Sequence, residues 1–220
     1  MAARRTRRKR RPPAINDRGR ADEFLDKALR LFAERDYAAV RMQDVARLCG
    51  ANHSLIYYYY KNKKALFNAA IGHLILTTVS NYEQIAAKHR DDPVALLNDW
   101  FDTNITMAPS LRKLMKVLFD YSGPRGRSVH VDTAVTRFYA QERHIISGGI
   151  RRGIALGVFR PVNVNKLTAF VSSQIDGIYF GSMMRADVVL RTRIEDLRGI
   201  LWQLLDYSPA KGKKKRRARR

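Results

Sequence analysis

The sequence predicts an all-α fold of about nine helices, and three observations carry that prediction. Apolar residues recur at three- and four-residue spacing along nearly the whole chain. Sustained two-residue alternation is missing, as are Asn-Gly or Asp-Gly turns between apolar runs, since Asp176-Gly177 sits inside a helical pattern. Residues that start or stop helices (Asp, Asn, Pro and Gly) fall at the edges of the periodic stretches.

Residues 22–34 form the first expected helix, with Phe24, Leu25, Ala28, Leu29 and Phe32 on one face and Asp22 and Glu23 in its first turn. Two short helices follow over 42–49 and 53–60, separated by Gly50. Asn62 can cap a longer helix that carries Ala65, Leu66, Ala69, Ala70, Leu74 and Leu76. Pro93, behind Asp91 or Asp92, suits the first position of a helix reaching to about residue 106. A separate helix is expected over 110–121, then a loop over 122–126. A long helix over 131–156 ends at Gly157, and the last two helices span 166–185 and 192–206. Gly148, Gly149 and Gly153 weaken the long helix by about 1 kcal/mol each relative to alanine, so close packing or a bend is expected there.

The chain has 220 residues and 45% hydrophobic content, enough for a core and two subdomains. Its 42 basic residues outnumber 20 acidic ones, a net charge of +22. Residues 1–11 hold seven basic residues and 211–220 hold eight, with no acid in either, which leaves +7 for the rest. Such runs self-repel and bury nothing, so a basic disordered arm (1–17) and tail (208–220) are expected to flank an N-terminal helical unit (18–66) and a helical body (67–207). Nucleic acid is the first partner to consider and an anionic membrane surface the second. One cysteine, Cys49, allows no intramolecular disulfide and no cysteine metal cluster. No apolar stretch approaches the roughly 20 residues of a spanning helix, and no signal-peptide core follows the basic start, so a soluble, cytoplasmic, nucleoid-associated protein is expected.

The strongest motif is the helix-turn-helix of residues 42–60. Its two helices cross at a sharp angle, which requires a small residue at the crossing and one tolerant of positive φ at the turn. Ala46 and Gly50 supply these, and Val45, Cys49, Ala51, Ile56 and Tyr59 fall at the corner-closing positions. His53, Ser54, Leu55 and Tyr57 lie on the exposed start of the second helix, the part that reaches base edges, while Gln43 can bridge adenine N6 and N7. Tyr58 and Tyr59 offer hydroxyls to the phosphate backbone. Successive helical positions turn by about 100°, so Tyr57 to Tyr60 cannot all face DNA, and Ile56 and Tyr60 are read as core. Cys49 is read as a packed small hydrophobe. Lys63 and Lys64 open a helix, where the dipole disfavours cations, and a phosphate at that end would relieve the conflict; Lys63 is the expected contact.

Four segments, Phe32-Ala33-Glu34-Arg35-Asp36-Tyr37, Asp44-Val45-Ala46, Gly50 to Tyr60 and Lys61 to Leu66, resemble the tetracycline-repressor (TetR) family over roughly residues 20–70. Arg41 departs from the family's capping serine or threonine and is expected to reach a phosphate instead. The resemblance implies a palindromic operator, a homodimer joined through helices 166–185 and 192–206, and release by a small apolar or amphipathic effector. Candidate pocket residues are Trp100, Phe101, Met115, Phe119, Phe138, Tyr139 and Tyr179, with Gln174 and Asp176 as polar anchors; the same residues also suit an ordinary core. No phosphate loop, nucleophile elbow or metal-ligand spacing appears, so neither an enzyme nor a cofactor is expected. The competing readings are a sequence-blind DNA-compacting protein, against which the long apolar body argues, and a regulator without a small-molecule effector. The arm could enter a minor groove, but counterion release by a nonspecific tether explains it more simply.

Overall fold

The computed structural model describes residues 17–35, 37–121 and 128–208. The expected basic arm and tail, apart from Asp17 and Ser208 at their inner edges, and the expected 122–126 loop lie outside the described residues. Among the described residues there are eight helices and no strand: α1 (Asp17–Glu34), α2 (Met42–Leu48), α3 (His53–Tyr59), α4 (Lys63–Lys88), α5 (Pro93–Tyr121), α6 (Val129–Ala155), α7 (Val164–Met184) and α8 (Leu190–Leu204). No helix among them is long and apolar enough to cross a membrane.

Helix starts follow the side-chain chemistry. Asp92 Oδ1 accepts the N–H groups of Val94 (3.2 Å) and Ala95 (3.0 Å), which caps α5 ahead of Pro93. Asn52, Asn62 and Asn163 cap α3, α4 and α7 in the same way. The helices expected over 93–106 and 110–121 are one continuous α5 with Pro109 inside it. Proline removes one N–H and crowds the preceding turn. Here the pyrrolidine faces solvent, while Trp100, Phe101, Ile105, Ala108, Leu111, Leu114 and Val117 keep one buried face running through the proline site. Packing along the whole face outweighs one missing hydrogen bond.

Helices α4, α5, α6 and α7 enclose the body's core, in which Tyr82, Trp100, Phe101 and Tyr179 are almost fully buried. Helix α8 lies on α5 and α7, and Arg198 reaches Asp102 of α5 at 2.6 Å. Helix α1 packs against both α4 and α5, and so joins the N-terminal unit to the body.

The glycines of α6 divide by their surroundings. A Cβ on Gly153 would stand 2.0 Å from the Phe159 ring, which is 3% exposed and packs on Trp202 and Tyr207. A Cβ on Gly148 would meet nothing within 4 Å. Gly148→Ala is therefore expected to stabilise the fold by about 0.5–1 kcal/mol, through a less flexible unfolded chain and better helix propensity. Gly153→Ala should cost about 1–3 kcal/mol as the Phe159 ring is displaced. Urea unfolding midpoints of the two variants should move in opposite directions; a shared direction would contradict this packing.

Candidate nucleic-acid interface

The reading unit is built from α1 to the start of α4. Gly50 has φ +57°, the left-handed conformation that lets the chain turn sharply after α2, and the Ala51 N–H closes the turn on Ala46 O at 2.9 Å. Ala46 is 2% exposed at the crossing, with Val45 and Ile56 fully buried beside it. Ala51 and Tyr59 pack on the same core. Cys49 is buried, and burial raises its thiol above the ordinary range.

Arg20 was not foreseen. Its guanidinium donates to Cys49 O at 2.9 Å and to Glu23 at 2.7 Å, so α1 satisfies a carbonyl at the end of α2. Nothing in the sequence signals a contact across 29 positions. Tyr60 donates its hydroxyl to Ala21 O at 3.2 Å, and burial pushes its pKa up to about 12, as suits a core position.

At the open face, Gln43, His53, Ser54, Tyr57 and Tyr58 are exposed. His53 and Tyr57 stand one turn apart with ring centroids at 4.9 Å, and Asn52 holds the first turn by accepting from Ser54 N at 3.0 Å. Arg41 has extended backbone geometry as the N-cap of α2. Arginine has no acceptor with which to cap. Instead the Asp44 carboxylate accepts the Arg41 N–H at 3.2 Å, and the guanidinium makes no capping bond. Leu55 and Tyr59 are half-buried, and the Tyr59 ring packs 5.6 Å from Phe24. Their side chains brace α3 more than they line its outer surface.

Lys63 requires a correction. Its ammonium donates to Tyr37 O (2.8 Å), Ala38 O (3.1 Å) and Val40 O (3.0 Å), and lies 4.6 Å from the Tyr37 ring centre. An ammonium has three hydrogens, so Lys63 holds the turn between α1 and α2 rather than offering a proton to phosphate. Lys61 and Lys64, on either side, are exposed.

The candidate pocket residues divide. Trp100, Phe101, Phe138 and Tyr179 are buried core, and Met115 is half-buried at its edge. Phe119 is 67% exposed, and Gln174 faces solvent because Val171, Ile175 and Tyr179 set the inward face of α7. Neither of those two joins the cluster. Tyr139 donates to both Asp176 oxygens at 3.1 Å, Tyr179 donates to Asn104 O at 3.0 Å, and Asn104 Nδ2 donates to the Tyr82 hydroxyl at 3.2 Å. Glu142 was also missed. It is 1% exposed, accepts from Ser172 Oγ at 2.5 Å, and burial pushes its pKa up to about 7. Its signal lay in spacing, since Phe138, Glu142, Ile146 and Gly149 share one helix face. Burial likewise raises Asp176, against the lowering effect of the Tyr139 hydroxyl. Among the described residues, no group of His, Cys, Asp and Glu is placed to hold a metal.

A small crossing residue, a left-handed turn and an exposed, capped second helix define a helix-turn-helix protein. Residues 24–70 match the family model described as bacterial regulatory proteins, tetR family. An uncharacterised HTH-type transcriptional regulator of Mycobacterium tuberculosis is 37% identical over 51 residues, which cover 23% of this chain and 25% of that protein. The HTH-type transcriptional repressor NicS of Pseudomonas putida is 28% identical over 64% of this chain and 60% of its own length. The crystal structure of a TetR transcription regulator from Haloarcula marismortui has the same fold, with a TM-score of 0.69 at 22% identity over 86% of this chain and 97% of that one. The likeness to the tetR family is therefore shown over residues 24–70, and the solved structure shows the fold of the chain. It spans a quarter of the length of the first curated relatives it matches.

Lys63→Ala is expected to leave the Tyr37, Ala38 and Val40 carbonyls short of a donor and to cost about 1–3 kcal/mol. Amide exchange over residues 37–66 should then accelerate, whereas Lys64→Ala should leave it unchanged. Unchanged protection in Lys63→Ala would return that lysine to the DNA surface. For Glu142, a folded-state pKa of about 7 against an ordinary 4.5 means that the folded state holds the proton more tightly. Its contribution is fully present below about pH 4.5 and disappears as pH rises to about 7, a loss of about 3 kcal/mol. Glu142→Gln should flatten the stability profile across that window, read by urea midpoints from pH 4.5 to 8.

Proposed function

We propose that the chain is a transcriptional repressor that binds a palindromic operator as a homodimer and is released by a small apolar or amphipathic effector. The observation that carries this is the capped, solvent-facing first half of α3, braced from behind by Ile56 and Tyr60, with Gln43 and Arg41 beside it. His53, Ser54, Tyr57 and Gln43 read base edges, while Arg41, Tyr58, Lys61 and Lys64 engage phosphates. Leu55, Tyr59 and Lys63 keep the head rigid.

A dimer follows from the reading geometry, because half-sites one helical turn apart need two recognition helices. The surface of α7 and α8 supports it: Phe170 (43% exposed) and Ile200 (44%) stand outward on the two helices. Isolated exposed apolar residues are ordinary, but with the exposed small residues Gly177 and Gly199 on the same two helices they suit a helix-on-helix contact. Repression is supported by the relationship to NicS, and effector control by a body far larger than a reading head requires.

Selection from a random duplex library with the full chain should return a palindrome, bound about 10³-fold or more tightly than bulk DNA at physiological salt. His53→Ala should change the selected bases, whereas Arg41→Ala should weaken all sequences alike. Recovery of no preferred sequence would remove the operator-reading claim and leave a nonspecific DNA binder.

A further inference from the structure

Where α1, the second half of α5 and the end of α7 meet, the surface opens into a groove of about 510 Å³, within the roughly 300–1,000 Å³ range of small-molecule sites. It is apart from the Tyr139–Asp176 and Glu142 cluster, none of whose residues line it. Its two sides differ in chemistry. Arg112, Lys113 and Lys116 supply three cations from a little over one turn of α5. Phe119, Phe180, Met183 and Met184 supply an apolar floor.

The cations differ in availability. Arg112 donates to Ser182 O at 3.0 Å and Lys116 donates to Ala33 O, so both are held in place by backbone. Lys113 forms no ion pair among the described residues. Among the described lining residues the one carboxylate, Glu34, is engaged by Arg30 at 2.7 Å, and that bond, more than the field of Lys113, holds its pKa down. Among the described residues the rim's cations thus outnumber its carboxylates, beside an apolar floor that stands open to water, with Phe119 67% and Met184 66% exposed. A cationic ligand would be repelled, and a fully apolar one would leave Lys113 facing hydrocarbon.

We propose that this groove binds an amphipathic monoanion, its chain or ring on Phe119, Phe180 and Met183 and its carboxylate-like head on Lys113. An occupant would touch the end of the reading head's first helix (Ala33, Glu34) and the end of α7 together, which places it at the joint between head and body. The site stands by itself, while its control of DNA binding rests on the repressor reading.

Calorimetry on the full-length protein, with dodecanoate and dodecyltrimethylammonium below their micelle concentrations, tests the proposal. Dodecanoate should bind once per protomer and about tenfold more tightly than the cation of equal chain length. Lys113→Glu should weaken dodecanoate about tenfold, and Met183→Trp, which fills the floor, should do the same. Both variants should keep the melting temperature of the parent chain. Equal affinity for the two probes, no binding, or dodecanoate affinity unchanged in both variants would overturn the site. Affinity that falls as protein concentration rises would assign the groove to a contact between copies and overturn it as well. Anisotropy with bound operator separates the two readings: dodecanoate that binds without weakening the operator complex keeps the site and removes its role in release.

Discussion

Helix α4 is the constraint on which both halves of the molecule depend. Its 26 residues run about 39 Å at 1.5 Å per residue. Leu66, Phe67, Ala70 and Ile71 close the core of the reading head, while Leu74, Ile75, Val79 and Tyr82 are core residues of the body. A break inside α4 would expose both cores, so the head cannot detach without unfolding part of the body. Lys63, at the first turn, adds a polar fastening by drawing three carbonyls of the α1–α2 connection onto the same helix. A cation at a helix start is unfavourable by itself. It is tolerated here because three oxygen dipoles and the Tyr37 ring face the ammonium.

Inside the body, polar groups fix what apolar packing leaves free. Leucine and isoleucine faces tolerate small slides between helices, whereas a buried hydrogen bond does not, since breaking it strands a desolvated group. Tyr82–Asn104 and Tyr179–Asn104 tie α4, α5 and α7 together, and Tyr139–Asp176 and Glu142–Ser172 tie α6 to α7 one turn apart. These bonds define one register for α6 against α7. Burying two carboxylates destabilises the ionised core, and the raised pKa of Glu142 expresses that cost.

The helices were legible because apolar period and capping residues agreed, as at Asp92-Pro93, Asn62 and Gly50. Boundaries failed where tertiary packing overrode a local signal: Pro109 reads as a stop, yet the buried face of α5 continues through it. The exposure of His53, Ser54, Tyr57 and Tyr58 was legible, because a short amphipathic helix leaves few choices. Tyr59 was harder to place, because whether a tyrosine on the shoulder of such a helix turns inward depends on Phe24, 35 positions earlier. Lys63 illustrates a further limit. Helix-end electrostatics pointed to a phosphate on this ammonium, but the sequence could not show that the protein's own carbonyls take its hydrogens. Gln174 faces solvent and Phe119 lines the groove beside α1 rather than the buried cluster, because composition identifies ligand-friendly side chains without their direction.

The groove beside α1 gives the head–body joint a mechanical meaning. The head is internally rigid: Arg20 holds the end of α2, and Tyr60 holds α1 through Ala21. It meets the body through α4 and through the end of α1, where Lys116 of α5 donates to Ala33 O. The first attachment is a continuous helix, while the second is the packing of α1 on α5 together with that side-chain bond. Lys116 and Ala33 both line the groove, so an occupant there would meet the second of the two attachments. In the proposed dimer on two half-sites, a small rotation of each head would change the distance between recognition helices. By linkage, the free energy by which an occupant disfavours the operator-bound spacing equals that by which operator disfavours the occupant.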